Sequence, residues 1–300
     1  MSITSRMFEG DADLLRMRDF LITANASGGP GYWHIGDLIW GVYQNTIFDP
    51  RASIRLWEDA GGELLGFAWR EEPDGLSIQV HPRLRGSGLL EQQMLDWGAA
   101  DILAHPHPEP PEMWAKAMDS DAPYQAILAR RGFQRDDFHY LLMRRDLRAP
   151  IPAAELPPGW SVRHVGDESE WGERVETHRE VWHPSRVTLA AYRRLRRAPV
   201  YDGELDIVAV APSGTFASYC ICWLDHANRC GEFEPVGTRP AFRRQRIGRA
   251  VMLEGLRRLR EGGAETAIVI SVGTNEASRR LYESVGFEVF DREYLYGKRL

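Results

Sequence analysis

Short apolar runs separated by turn residues predict a pair of strands in the middle of each half of the chain. Glycine and acidic or proline residues lie between the members of each pair, around Gly62 in the first half and Gly214 in the second. Such spacing is typical of β-hairpins. The predicted strands are 53–57 and 64–69 in the first half, and 205–210 and 215–223 in the second.

A different periodicity follows the second hairpin. Between Gln245 and about Arg260, apolar residues recur at Met252, Leu256 and Leu259, and arginines lie among them. This spacing predicts an amphipathic helix with one face against a sheet. Each half also begins with a short apolar run followed by an acidic helix start, at 3–13 and 160–169. Strands and helices therefore alternate in both halves, which indicates an α/β class.

The stretch 148–159 carries four prolines and interrupts these patterns near the middle of the chain. Proline removes backbone donors and disfavours helix in the residue before it, so this stretch predicts a linker. The two halves share a faint repeat: residues 76–92 correspond to 234–250, and 121–133 correspond to 275–287. We therefore predict a first domain over 1–148, a linker over 149–159 and a second domain over 160–300.

Composition and charge exclude several classes of function. The chain is 43% hydrophobic and 27% charged, its net charge is −6, and no apolar run approaches a membrane span or a signal peptide. We expect a cytoplasmic protein that binds neither nucleic acid nor membrane. Cys220 and Cys222 lie in an apolar run, which favours core packing over a metal site or a disulfide. No metal is expected.

The residues 232–250 carry the clearest chemical signal. A strand-like run ends near Thr238, an arginine-rich loop follows, and Gln245, Gly248 and Ala250 form a Gln-x-x-Gly-x-Ala pattern at the start of a helix. Such a junction directs several backbone N–H groups and the positive end of the helix dipole at one point. Glycine at 248 lets the backbone approach a ligand closely. The loop therefore suits a pyrophosphate.

A second motif begins about 30 residues after Gln245. Asn275, Ala277, Leu281 and Tyr282 precede the Gly-Phe pair that ends at Phe287. In order and spacing, the two motifs resemble the acyl-CoA-binding loop and following helix of the GNAT N-acetyltransferase superfamily. The resemblance is specific in the second half and weak in the first. It implies two tandem GNAT-like domains, each a mixed, mostly antiparallel sheet with helices on both faces.

The resemblance also implies an acetyl-CoA site in the second domain. The strand that ends near Thr238 would separate from its neighbour there, and its free backbone groups would pair with the pantetheine arm. The arginines of the following loop would neutralise phosphate charge. Asn275 would contact the pantetheine arm or cap its own helix. The residues expected to bind the cofactor are Val236, Thr238, Arg243, Arg244, Gln245, Arg246, Ile247, Gly248, Arg249, Ala250, Asn275 and Tyr282.

Four groups are expected to carry the chemistry. In the family, a tyrosine at the Tyr282 position protonates the leaving thiolate, and the N–H at the Val236 position faces the thioester carbonyl. Glu232 and Glu234 share a strand face, and we expect Glu234 to be the base, with Glu232 as the alternative. His178 and His183 are weaker candidates for that role.

The first half departs from this pattern at the same positions. Ser87, Leu90 and Gln92 replace the glutamine, glycine and alanine of the loop, while Asp121 and Leu128 replace the asparagine and tyrosine. Leu90 would place a side chain where a phosphate must come close, and Asp121 would place an acid beside it. We therefore expect the first domain to bind no acyl-CoA productively.

Together these observations predict an acetyl-CoA-dependent N-acetyltransferase, in whose second domain a small amine attacks the thioester directly. Some tandem members of the family acylate a cysteinyl pseudodisaccharide thiol precursor, and nothing in the sequence selects that acceptor. The alternative is a non-catalytic acyl-CoA-binding or sensor protein with the same fold. A nucleotide kinase is disfavoured because the two lysines of the chain, Lys116 and Lys298, do not follow a glycine-rich turn. Loops at 28–40 and 182–192 are expected to build the acceptor pocket.

Overall fold

The computed structural model describes residues 2–44, 46, 49–106 and 109–300. The helices are α1 (Asp11–Ala26), α2 (Ile35–Gln44), α3 (Pro50–Ser53), α4 (Leu89–Ala104), α5 (Ala122–Arg130), α6 (Glu168–Val181), α7 (Leu189–Leu195), α8 (Ile247–Glu261) and α9 (Glu276–Ser284). The strands are β1 (Ile3–Met7), β2 (Ile54–Asp59), β3 (Leu64–Trp69), β4 (Gly75–Val80), β5 (Glu112–Met118), β6 (Gln134–Asp146), β7 (Ser161–His164), β8 (Asp206–Val210), β9 (Phe216–Asp225), β10 (Cys230–Thr238), β11 (Thr266–Val272) and β12 (Glu288–Arg299).

Both predicted hairpins form. Strands β2 and β3 pair antiparallel around the turn at Gly62, and β8 and β9 pair antiparallel around Gly214. The amphipathic helix also forms, although it begins at Ile247 rather than Gln245. The mixed, mostly antiparallel α/β class predicted from the sequence is confirmed. Among the described helices, none is long and apolar enough to cross a bilayer.

The chain divides into two compact units, and they differ from the predicted domains at three places, because 34–47 and 142–148 belong to unit 2 and 291–300 belongs to unit 1. Unit 1 comprises Met1–Trp33, Phe48–Leu141 and Asp291–Leu300, whereas unit 2 comprises His34–Ile47 and Leu142–Phe290. The first half of the chain therefore supplies α2 to unit 2, and the end of the chain supplies most of β12 to unit 1. Residues 151–157 lack regular structure, as expected of the proline-rich stretch.

Within unit 1 the strands follow the order β1-β2-β3-β4-β5-β12, in which only β4 and β5 run parallel. The core lies between this sheet and helices α4 and α5. It contains Leu90, Met94, Ile127 and Leu128, each of which is at most 1% exposed. Leu90 and Leu128 thus pack as core residues at positions where the predicted cofactor motifs have Gly248 and Tyr282.

Within unit 2 the order is β11-β10-β9-β8-β7, and only β10 and β11 run parallel. Helix α8 packs on β8, β9 and β10 through buried residues such as Leu256 and Leu259. Cys220 and Cys222 are buried in β9 as free thiols, as the apolar run predicted. This sheet determines where the candidate site lies.

Candidate active site

The candidate site lies where two parallel strands separate. Strand β10 pairs with β11 only from Cys230 to Phe233, and beyond that point its pairing continues only with β9. The register with β9 shifts between Phe233 and Val236. The edge of β10 from Glu234 to Thr238 is therefore open on the side of β11, as expected for a splayed sheet that accepts an extended ligand.

The N–H of Val236 faces this gap. The N–H of Arg239 donates to the carbonyl of Ala217, on the β9 side. Backbone N–H groups alternate in direction along a strand, so the N–H of Gly237 also points to β9. The N–H groups of Val236 and Thr238 therefore point away from β9. The carbonyl of Thr238 correspondingly accepts from Arg243 Nε at 3.2 Å rather than from β9. Val236 thus presents a backbone donor to the open edge.

Helix α8 begins beside the same edge with free backbone donors. It has no side-chain cap, and its first backbone hydrogen bond is donated by Ala250 to the carbonyl of Arg246. Ile247, Gly248 and Arg249 precede that bond, so their N–H groups have no partner within the helix. Arg244 and Arg246 both adopt left-handed backbone conformations with φ of 62°, and both side chains are exposed. This arrangement suits an anionic group such as a pyrophosphate.

Helix α8, strand β10 and helix α9 approach each other closely at Gly248. A Cβ on Gly248 would lie 2.8 Å from Thr238 Oγ1 at the end of β10 and 3.5 Å from Leu281 in α9. The sequence suggested that glycine allows a phosphate to approach the backbone. The structure adds a second reason, because the close packing of α8 on β10 also requires it. The loop, the open strand and α9 therefore meet at one place.

Tyr282 and Asn275 both lie on α9. Tyr282 is 6% exposed, and burial together with the charge of Glu234 raises its pKa well above the usual value. Among the described residues its hydroxyl has no hydrogen-bond partner, which leaves it free for a ligand. The side chain of Asn275 accepts from the N–H of Ser278 at 3.2 Å and caps the helix. Its carbonyl oxygen is thus engaged, while its amide group remains a donor.

The two glutamates differ in their surroundings. Glu234 is partly exposed, and burial together with the charge of Glu232 raises its pKa to about 8. Glu232 is 1% exposed and lies beneath the first turn of α2. A base that must touch an incoming amine needs access, so the geometry favours Glu234 over Glu232.

The two histidines are less suitable. Burial and the charge of Arg174 lower the pKa of His178 to about 3, and its Nδ1 lies 2.6 Å from the hydroxyl of Tyr219. His183 is exposed in the segment after α6. Among the described residues, neither histidine forms a hydrogen bond or an ion pair with Glu234 or Tyr282.

The corresponding place in unit 1 is filled by the protein itself. Strands β4 and β5 also separate early, after Leu76. Residues 31–33 lie against this gap: the Tyr32 hydroxyl donates to the carbonyl of Val80 at 2.8 Å, and the side-chain oxygen of Gln79 accepts from the N–H of Trp33 at 3.3 Å. An extended ligand would have to displace this segment.

Charged side chains occupy the rest of this place in unit 1. Arg85 pairs with Asp121, whose side chain is 3% exposed and also caps α5. Glu91 is 1% exposed and accepts from the N–H of Gly86 at 2.6 Å, so a carboxylate takes a backbone donor of the loop. An acid at this point competes with a phosphate for the same donor.

Asp121→Ala is expected to destabilise the protein by about 3 kcal/mol, because it removes the helix cap and leaves Arg85 as a poorly compensated, largely buried charge. Urea unfolding checks this. The control is Asp119→Ala, whose side chain is 46% exposed and which should change stability by less than about 1 kcal/mol. Equal effects of the two substitutions would show that the buried pair has no special weight.

Comparison with known proteins identifies the family of the chain. A sequence model of the acetyltransferase (GNAT) family matches residues 169–287. The mycothiol acetyltransferase of Thermobispora bispora is 32% identical over 253 residues, which cover 79% of this chain and 80% of that protein. The mycothiol acetyltransferase of Thermobifida fusca is 29% identical over 270 residues, with 80% of each chain covered. The chain belongs to the GNAT acetyltransferase family.

Solved structures show the same tandem fold. A tandem GNAT protein from the clavulanic acid biosynthesis pathway superposes with a TM-score of 0.70 at 16% identity, covering 99% of this chain and 98% of that one. A GCN5-related N-acetyltransferase from Sphaerobacter thermophilus gives 0.66 at 22% identity, with 99% and 95% covered. The predicted family and tandem fold are confirmed, and the protein is a GNAT-type acyltransferase that transfers an acyl group to an amine.

Proposed function

We propose that this GNAT acetyltransferase uses acetyl-CoA to acetylate a small amine at a single working site in unit 2. The observation that carries the proposal is the convergence, around Gly248, of an open strand edge, an uncapped helix start and the α9 segment that holds Tyr282. Acetyl-CoA, when bound, would supply the acetyl group as a thioester.

The open edge and the loop would hold that donor. The N–H groups of Ile247, Gly248 and Arg249 would bind its pyrophosphate, with Arg243, Arg244 and Arg246 adding positive charge. Gln245, whose side chain donates to the carbonyl of Ala241 at 3.2 Å, would fix the loop. Thr238 and Asn275 would border the pantetheine arm, and Ala250 would keep the helix start narrow. These residues fit an anionic, extended ligand.

The chemistry would follow from three groups. Glu234 would take a proton from the acceptor ammonium, since a carboxylate with a pKa of about 8 is a stronger base than an ordinary one. Val236 N–H would donate to the carbonyl oxygen as negative charge develops there. Tyr282, which stays protonated at neutral pH, would give its proton to the departing sulfur. Glu232 is the alternative base.

The acceptor is proposed to be a small molecule that carries a primary amine. The curated relatives are named mycothiol acetyltransferases, and an amine of a thiol precursor is therefore one acceptor to include in a screen. The test measures acetyl-CoA-dependent release of CoA with a panel of amino sugars, polyamines, amino acid amides and thiol precursors. Acetylated product with one of them supports the proposal, whereas CoA release without any acetylated amine contradicts it.

A further inference from the structure

Among the described residues of unit 2, Trp182 is the most exposed large aromatic side chain. It follows the last residue of α6 and is 50% exposed, whereas Phe290 is 42% exposed. Exposure of a single apolar side chain is ordinary by itself. The contacts that hold the indole therefore decide whether it has a function.

Two neighbouring side chains fix the orientation of this indole. Trp182 Nε1 donates to the hydroxyl oxygen of Tyr219 at 2.9 Å. That hydroxyl lies 2.6 Å from Nδ1 of His178, and the rings of His178 and Trp182 are nearly parallel, with centres 6.4 Å apart. An indole N–H can only donate, so the tyrosine oxygen accepts it and its own proton points to His178. An exposed ring held in this way is ordered before any ligand arrives.

The ordered indole lies beside the open edge of β10. Tyr219 pairs with Gly237 across β9 and β10. A Cβ on Gly237 would lie 2.9 Å from the Tyr219 ring and 2.6 Å from Val181, the residue before Trp182. Gly237 directly follows Val236, whose N–H faces the gap between the strands. The end of α6 therefore packs against the part of the strand at which the acyl group is proposed to react.

The indole has no cation of the protein's own over its ring. Trp171, near the start of the same helix, has the guanidinium of Arg196 4.6 Å from its ring centre, and Phe290 has that of Arg144 at 5.3 Å. In the part of the chain that the structure describes, no arginine or lysine lies over Trp182 in this manner. The ring is therefore available to a cation from outside.

Glu234 lies within electrostatic reach of the same surface. Burial is the main cause that raises the pKa of Tyr219, and the charge of Glu234 acts in the same direction. The carboxyl group of Glu234, whose own pKa is raised to about 8, is largely protonated at pH 7 and attracts an ammonium only weakly in that form. The face of an indole attracts an ammonium through the ring quadrupole, which does not depend on pH.

We propose that Trp182 is a wall of the acceptor site and holds the acceptor amine as its ammonium before Glu234 takes the proton. The proposal rests on the proposed function, because it places the acceptor beside Val236 and Glu234. It selects primary amines that arrive protonated over alcohols of the same skeleton. Tyr219 and His178 are positioning residues that act through the indole.

The direct test follows the indole N–H signal of Trp182 by ¹H–¹⁵N NMR in the intact protein without acetyl-CoA. The signal is assigned by its loss in Trp182→Leu. Each amine of the panel is added, and then the analogue that carries a hydroxyl in place of the amine. At least one amine should shift the signal saturably, and its analogue should shift it less than about half as far at equal concentration. A signal that no amine moves, or that amine and alcohol move equally, would overturn the proposal.

Two substitutions of Trp182 separate an aromatic contact from a merely apolar one. Phenylalanine keeps a weaker aromatic face, whereas leucine keeps only apolar bulk. For the amine that wild type acetylates fastest, KM should rise about twofold to thirtyfold in Trp182→Leu, the range of cation–π contacts, and less in Trp182→Phe. The value of kcat should stay within about threefold of wild type and the Kd for acetyl-CoA within about twofold, because this donor binds at α8.

Phe290→Leu is the matched control, since it removes another exposed aromatic ring of unit 2 and should leave KM within about twofold of wild type. Equal KM values in Trp182→Leu and Trp182→Phe would show that the ring quadrupole has no part in binding. A fall in kcat with an unchanged KM would show that Trp182 does not bind the acceptor.

Tyr219→Phe tests the positioning of the indole. It removes the oxygen that accepts from Trp182 Nε1, so KM for the amine should rise in the same direction as in Trp182→Leu. Adding Trp182→Leu to this variant should have a smaller effect than in wild type, because both changes act through one ring. Additive effects would contradict the positioning role of Tyr219.

Failure of this inference and failure of the proposed function give different results. If the panel yields an acetylated amine that moves neither the Trp182 signal nor, in Trp182→Leu, the KM, the function stands and the role of Trp182 is refuted. If an amine shifts the Trp182 signal saturably but no amine is acetylated, the aromatic wall stands and the function is refuted. Neither product nor shift would refute both.

Discussion

Replacing Tyr282 by phenylalanine is expected to lower kcat by ~10²-fold to 10⁴-fold, the usual contribution of a general acid. The substitution removes only the hydroxyl, so the packing of the ring against Phe287, with ring centres 6.2 Å apart, should persist. The dissociation constant for acetyl-CoA should stay within about threefold of the wild-type value, because the phosphates bind at the start of α8 and not at this hydroxyl. Steady-state kinetics and calorimetry measure the two quantities.

The matched control is Tyr124→Phe. Tyr124 is 4% exposed and lies on α5, the helix of unit 1 that corresponds to α9. The Tyr124→Phe substitution should leave kcat within about twofold of wild type, because the place in unit 1 that corresponds to the proposed site is filled by the protein itself. A Tyr282→Phe variant with nearly normal kcat would show that the thiolate leaves without this proton donor. A large loss of acetyl-CoA affinity would show that Tyr282 acts in binding.

Glu234→Gln is expected to lower kcat/KM by ~10²-fold or more at pH 8. The base must be ionised to accept a proton. Since burial and the charge of Glu232 raise the pKa of Glu234 to about 8, the ionised fraction of the free enzyme increases about tenfold per pH unit below that value. Wild-type kcat/KM should therefore rise with pH and level off above about pH 8.

Two further variants separate the glutamates. Glu232→Gln removes the charge that raises the pKa of Glu234, so its acid limb should move to lower pH while activity at pH 8 is retained in part. Glu288→Gln, an exposed residue of β12, should reproduce the wild-type profile. If Glu232→Gln abolishes activity and Glu234→Gln does not, Glu232 is the base.

The raised pKa of Glu234 should also make the stability of the protein depend on pH, which can be measured without an acceptor. Its pKa is about 8 in the folded protein and near 4.5 in the unfolded chain, so the folded state binds more protons between these values. This group therefore contributes fully to the free energy of unfolding below about pH 4.5, and the contribution is lost as the pH rises through about 8. In Glu234→Gln the fall of the melting temperature with pH should be smaller than in wild type.

The sequence signals that predict a site in the second half are local. The Gln-x-x-Gly-x-Ala pattern and the segment that contains Asn275 and Tyr282 each act through a backbone junction a few residues long. Their spacing therefore survives in the sequence, and the structure brings them together at Gly248. The losses in the first half were equally visible, since Leu90 and Asp121 are changes of residue type at defined positions.

The sequence did not predict which residues pack against Glu232. His34 and Glu232 are separated by almost 200 residues, and no periodicity in 34–44 distinguishes a helix packed in unit 2 from one packed in its own half. Loop 28–40 was expected near the acceptor, but the position of His34 beside Glu232 was not. One local signal was available, because Gly36 lies at the start of an apolar helix, where glycine is unfavourable unless a close neighbour requires it.

The domain boundaries show the same limit. Prolines at 149–159 mark a break in regular structure, and the structure has one there. Proline content says nothing about which sheet a later strand joins, so the assignment of Asp291–Leu300 to unit 1 was not accessible. Strand pairing between distant segments depends on packing that no short pattern encodes.

The central claim is that unit 2 contains the single acetyl-CoA site, and calorimetric titration with acetyl-CoA tests it most directly. We expect one site per chain and a Kd at least about tenfold weaker in Arg244→Glu, which reverses an exposed charge at the loop without a new side chain in the core. Arg299→Glu, which makes the same charge change at another exposed position, should leave the Kd within about twofold. Two sites per chain, or equal effects of the two substitutions, would contradict the account.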